Sequence, residues 1–279
     1  LREFFQDSSL ATQSAREITE FGAVLDDAVN KLDVDAQLAA AMAQAGNVVL
    51  AMPFIIGEPL GNPDSELPDY VQRNAIANVV DEVNAVEQGF FPLPTLDALV
   101  PIPELGSVAT SIGHLNAAPD VDGGIRSEPL VVRYYDAYYP SLSLLLAARS
   151  RNLGVDDIQV RLGDGVQLGP LSIKTDTSLQ MNTFFYSDVD GFPAFTTDSF
   201  FDVITGKIPA DKYRDKIVLI GATAAGVGAA QVTPISPAMA PVLTLAHSVS
   251  SILNEDFFVS PSWAPYVEWA VLLLAAVFL

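Results

Sequence analysis

The sequence predicts an α/β fold whose sheet mixes parallel and antiparallel strands, flanked by helices and followed by the start of a transmembrane helix. Three features carry that expectation. A helix-forming stretch from Asp35 to Ala45 runs into a short apolar segment, Val48 to Met52, which is the helix-then-buried-strand unit of α/β proteins. Hairpin signals fill the second half, where Gly163, Asp164 and Gly165 stand between strand-forming residues. The last seventeen residues, Trp263 to Leu279, contain one charge, Glu268. They approach the roughly 20 apolar residues that a span needs, and Trp263, Tyr266 and Trp269 precede the apolar run as interfacial rings do.

Taken in order, Leu10, Ile18, Phe21, Leu25, Val29 and Leu32 recur at spacings that make one apolar stripe on a helix. The alanine-rich stretch after Asp35 is a strong helix former, and Gly46 is placed to close it in the left-handed conformation. Pro53 to Pro68 reads as a surface loop. Asp69 is placed to cap a helix with Gln72, with Ile76, Val79, Val80, Val83 and Val86 on the buried face and Gly89 at the end. Phe90 to Pro103 holds four prolines in fourteen residues and reads as an ordered loop pinned by Phe90, Phe91 and Leu93. Ile112 to Ala117 and Leu130 to Tyr135 read as strands joined through a turn at Asp120, Asp122, Gly123 and Gly124.

Pro140 suits the first position of a helix running to Asn152 and Gly154. Val166 to Lys174 and Leu179 to Tyr186 have strand composition. Thr197 or Asp198 is placed to cap a short helix bearing Phe200, Phe201, Val203 and Ile204. Lys216 to Ile220 reads as the clearest buried strand of the chain, leading into the small residues Gly221 to Gly228.

With 34 acids against 14 bases the net charge is -20, which repels nucleic acid phosphates, so no nucleic acid partner is expected. The chain has no cysteine; disulfides, thiolate metal sites and a cysteine nucleophile are therefore out of reach, and an oxidising periplasm is compatible. No signal peptide opens the sequence and Leu1 is not a start methionine, so sequence upstream is expected.

Catalytic chemistry is scarce. His114 and His247 are the two histidines, far apart and without a second local ligand, so no metal site is expected. His114 reads as a satisfied structural group. Asp120, Asp122 and Gly123 resemble the start of a calcium loop, but Val131 stands where the bidentate Glu belongs, which favours a plain turn. Glycines after the Ile217 to Ile220 segment are able to cradle a phosphate, yet no Lys-Ser or Lys-Thr pair follows, and close backbone packing is the favoured reading. Arg126 follows the acidic turn and is expected to pair with one of its carboxylates or with an anion. No nucleophile elbow or triad order is present, and no cofactor is implied.

The segments Gly113-His114-Leu115-Asn116, Asp120-Val121-Asp122-Gly123, Arg126, Pro129-Leu130 and Pro140-Ser141-Leu142 follow one another in a distinctive order. So do Phe200 to Pro209, Lys216 to Ala224, Thr233-Pro234 and Ser251-Ile252-Leu253, ahead of the apolar tail. In this order they resemble the second CHASE family of extracytoplasmic sensor domains, over nearly all of residues 35 to 262. Two departures stand out: Pro241-Val242 and Leu245 replace a Gly-Val pair and a His, and Ala229 stands where an acid is common.

The resemblance implies a sensor domain over residues 1–262 and the start of a transmembrane helix over 263–279, in the membrane of a bacterium with the sensor on the periplasmic side. It implies no catalysis in the sensor itself, an unidentified small-molecule or environmental stimulus, and a homodimer. The output it implies is an adenylate or diguanylate cyclase, a histidine kinase or a Ser/Thr kinase. Candidate ligand residues are His114, Asp120, Asp122, Arg126, Gly226, Gly228 and His247. The alternative is a membrane-tethered periplasmic hydrolase or transferase with Asp120, Asp122 and His114 as its polar centre.

Overall fold

The computed structural model describes residues 19–22, 24, 31–63, 66–190, 192–224, 227–259 and 263–278. The chain divides into two compact units, Leu1–Val48 with Ile102–Thr110, and Val49–Pro101 with Ser111–Leu279.

The smaller unit is built on the helix Val34–Ala45. Asp33, not Asp35, caps it: its carboxylate accepts from the Ala36 N–H at 2.9 Å, and Gly46 closes the other end at φ 65°. The short helix Pro103–Gly106 packs beside it. Of the predicted N-terminal stripe, Phe21 and Leu32 are exposed, while Leu10, Ile18, Leu25 and Val29 lie outside the described residues.

The larger unit is mixed α/β. Val49–Met52 pairs in parallel with Ser111–His114. Phe54–Ile56, Leu93–Ala98, Val131–Tyr134 and Ala137–Pro140 form a sheet in that order, with one parallel pair between two antiparallel ones. Asn78–Val80, Ile158–Arg161, Gly165–Leu168 and Leu171–Lys174 form another, again with one parallel pair. Ser127–Pro129, Gln180–Thr183 and Phe257–Phe258 are antiparallel neighbours, and Gln231–Thr233 pairs with Ser236–Met239. Two helices, Leu142–Ser150 and Pro241–Asn254, pack on one another and on these strands. Leu144, Leu145, Ile158, Leu168, Met181 and Ile252 are fully buried between them. That layer of apolar side chains supplies the main hydrophobic driving force.

Local signals read correctly include the Gly163 turn and Gly46 at the end of the alanine-rich helix. Others give way to pairing partners. The helix from Asp69 ends at Gln72, and the β-branched Val79 and Val80 instead pair in parallel with Val160 and Arg161. Val83 and Val86 are exposed. Leu93–Ala98 is an interior strand despite Pro94. Its two neighbours use different halves of it, and Thr95 Oγ1 donates to the Arg133 carbonyl at 3.0 Å beside the residue that lacks an N–H.

Pro140 ends a strand, and the Leu142–Ser150 helix is capped by Ser141, whose hydroxyl accepts from the Leu144 N–H. Lys216 to Ile220 is not a strand: it has no ladder partner among the described residues, and Ile217, Val218 and Ile220 are exposed. The helix Ala264–Phe278 has 15 residues, and no helix among the described residues is long and apolar enough to cross a membrane.

Candidate functional site

Residues of the distinctive motifs converge at the carboxyl end of the Ser111–His114 strand. Gly113 lies against the start of the Leu142–Ser150 helix, where an added β-carbon would sit 2.7 Å from the Leu142 backbone, and His114 bridges Ser141. Asn116 acts as a piece of strand: its side chain accepts from the Phe54 N–H at 2.9 Å and donates to the Phe54 carbonyl at 2.7 Å. His114 is buried, its Nδ1 accepts weakly from the Asn116 N–H at 3.3 Å, and its Nε2 has no partner among the described residues. The expectation of a satisfied histidine is thus met at one nitrogen only. Burial lowers its pKa to about 3, so the ring is neutral at physiological pH.

Arg126 pairs with both carboxylates of the preceding turn. Its Nη1 donates to Asp120 at 2.5 Å and to Asp122 at 2.8 Å, and its Nη2 to the other Asp122 oxygen at 2.7 Å. That guanidinium contact, with the Gly124 N–H, holds the Asp122 carboxyl well below the usual range, and raises Arg126 in return. The cluster is exposed. No hydrogen bond among the described residues joins it to His114. Gly226 lies outside the described residues. Gly228 has φ 83° with nothing within 4 Å of an added β-carbon, so backbone conformation and not close packing calls for it.

Among the described residues of that segment the close-packed glycine is Gly221. An added β-carbon there would lie 2.7 Å from Val242 Cβ on the Pro241–Asn254 helix. Both residues line a cavity of about 700 Å3, open to solvent, between residues 195–223 and that helix, a size typical of small-molecule sites. Phe195, Phe200, Ile217, Leu219, Val242 and Leu243 give it apolar walls. The exposed Ile217 to Ile220 segment thus forms a wall where a buried strand was expected.

Asp198 lies in the lining, where Lys212 donates to its two oxygens at 2.7 and 2.6 Å and the Tyr213 hydroxyl at 2.8 Å. Those bonds hold its carboxyl below the ordinary value. Lys216 also lines the cavity.

His247 stands one helix position beyond the lining residue Ala246. It is buried, its Nδ1 accepts from the Tyr186 N–H at 3.1 Å, and the Tyr186 ring stacks on it at 6.0 Å. Phe195, a cavity wall, meets its edge at 4.8 Å. Burial lowers its pKa to about 4.

A buried polar cluster that sequence reasoning missed lies between the two core helices and the Ser127–Pro129 strand. Ser141 and Ser143 share a hydroxyl hydrogen bond of 2.8 Å, and Ser143 donates to Glu128. Burial pushes the Glu128 carboxyl up from its ordinary 4.5, while the hydroxyls of Ser143, Ser248 and Ser141 pull part of the way back. A carboxyl raised in the fold stabilises fully below pH 4.5, and that contribution is lost as pH rises through the folded value. Glu128→Gln, which keeps the acceptor and removes the charge, is therefore expected to raise the urea midpoint at pH 8 and leave it nearly unchanged at pH 4. Equal shifts at both pH values would refute a buried ionisation. The signal in sequence was absent because Glu128 and Ser248 are far apart along the chain.

Among curated proteins and among solved structures nothing matches the chain. The family model of the CHASE2 domain matches residues 5–279, a match that includes the Gly113 to Asn116 motif, the Asp120 turn and the cavity-lining segment. The chain therefore belongs to the CHASE2 family of extracytoplasmic sensor domains.

Proposed function

We propose that this chain is the signal-sensing region of a transmembrane receptor, with residues 1–262 outside the cytoplasmic membrane and Trp263 to Leu279 entering it. The stimulus is a small molecule received in the cavity on the Pro241–Asn254 helix, and the output is a cytoplasmic cyclase or kinase. Such a domain needs two conformations, or two dimer arrangements, with different affinity for the stimulus. The observation that carries the reading is the position of the cavity. Its wall is the last core helix, which precedes the exposed apolar helix Ala264–Phe278 in the chain. Phe195 links the cavity to that helix, because it lines the cavity and its ring meets His247.

Reporter fusions at Ser199 in the intact protein test the topology. A reporter that works only in the periplasm is expected to be active there, and one that works only in the cytoplasm is expected to be silent. Cytoplasmic activity would end the sensor reading. The sequence beyond Leu279 supplies a second check, since further hydrophobic spans leading to a cyclase or kinase are expected.

A further inference from the structure

The cavity carries a charge preference as well as a shape. Its charged lining residues are Asp198, Lys212 and Lys216. Lys212 and Asp198 form an ion pair; Lys216 acts on Asp198 only at longer range, and no carboxylate lies within ion-pair distance of it among the described residues. One positive charge is left over, in a chain whose net charge is -20. Lys216 is exposed, and so are the apolar walls Phe200 and Ile217, so a ligand that covers the walls and keeps its head in water beside Lys216 gains most, the arrangement that suits an amphiphile. A cation is repelled by Lys216, and a neutral acceptor gains a hydrogen bond without the ion-pair attraction. A second carboxylate of the ligand would have to face Asp198, whose charge is already engaged and like in sign.

We propose that the cavity takes an apolar monocarboxylate, with its acid group on Lys216 and its hydrocarbon or ring body against Phe195, Phe200, Leu219 and Val242. The ligand class rests on the reading of this cavity as the sensory site. Binding of this kind draws most of its free energy from the buried body and its selectivity from the head.

Isothermal titration of the 279-residue chain with 4-phenylbutyrate, 4-phenylbutanol and 4-phenylbutylamine tests it, because the three share one body and differ in charge. The acid is expected to bind one per chain and at least tenfold more tightly than the alcohol, with the amine weakest. Lys216→Met is expected to remove the tenfold advantage of the acid and to leave the alcohol unchanged. Binding of the amine as tight as that of the acid overturns the proposal. So does an unaltered acid affinity in Lys216→Met, or absence of binding by all three. Failure of the acid series with the Ser199 reporter active in the periplasm overturns the ligand class alone. Cytoplasmic reporter activity with the acid series obeyed overturns the sensor reading and leaves the ligand class standing.

Discussion

Gly113→Ala is expected to cost the fold about 3 kcal/mol or more and to lower the melting temperature by roughly 10 °C. The new methyl would lie 2.7 Å from both the backbone nitrogen and the Cα of Leu142. Neither atom has room to give way. Leu142 opens a helix directly after its cap Ser141, and Ser141 is bridged to His114, the neighbour of Gly113. Relief would require the helix to separate from a strand it packs against, exposing Leu144 and Leu145, which are fully buried. Gly46→Ala serves as the comparison. Its φ of 65° makes alanine unfavourable, but nothing lies within 4 Å of the added carbon, so about 1 kcal/mol is expected. Urea unfolding of the two variants side by side decides the matter, and equal losses would mean that the approach to Leu142 is not what Gly113 is for.

Acid is expected to unfold the chain steeply between pH 6.5 and 4. An imidazole held neutral by burial binds its proton less readily in the fold than in the unfolded chain. The contributions of His114 and His247 are therefore complete above the ordinary value of 6.5 and are lost as pH falls towards about 3 and about 4 respectively. Each proton taken up on unfolding adds about 1.4 kcal/mol per pH unit, so the pair contributes a slope of about 2.7 kcal/mol per unit in mid-range. Both rings are nearly inaccessible, and His247 is enclosed by Phe185, Tyr186 and Phe195, so little solvent screening softens the effect. His247→Gln keeps an acceptor for the Tyr186 N–H and should halve the slope at pH 5. An unchanged slope would place the acid sensitivity elsewhere. Glu128 acts in the opposite direction at higher pH, because its raised carboxyl loses stabilisation as pH climbs.

Much of the local structure was written in nearby residues. Asp33 and Gly46 bracket a helix, Gly163 and Gly165 turn a hairpin, and Pro241 opens a helix, each through a backbone preference or side-chain bond acting within a few residues. Strand identity was less legible, because a strand is made by its neighbour. Leu93–Ala98 became interior through partners about forty residues away on either side, and Pro94 hid it. Lys216 to Ile220 has the composition of a strand but no ladder partner among the described residues. The site followed the same division. Arg126 found the acids beside it in sequence, whereas the Glu128 cluster and the cavity are assembled from segments spread from residue 128 to residue 248. Periodicity does not reach that far.

If the chain passes on a signal as proposed, the anchoring that follows the Pro241–Asn254 helix constrains the kind of motion it uses. Glu255 turns the backbone left-handed at φ 59°. Phe257 and Phe258 are then laid onto the Gln180–Thr183 strand opposite Thr183 and Asn182, with Tyr186 holding Asp256 at 3.0 Å just before them. A helix fastened in this way at its far end is no drive shaft, since torque about its axis is taken up by the ladder within two residues. It is a lever with a pinned tip. Under the proposed sensor role, tilting of the helix, which would shift the Phe257–Phe258 anchor and the sheet edge together, is the motion that this anchoring favours.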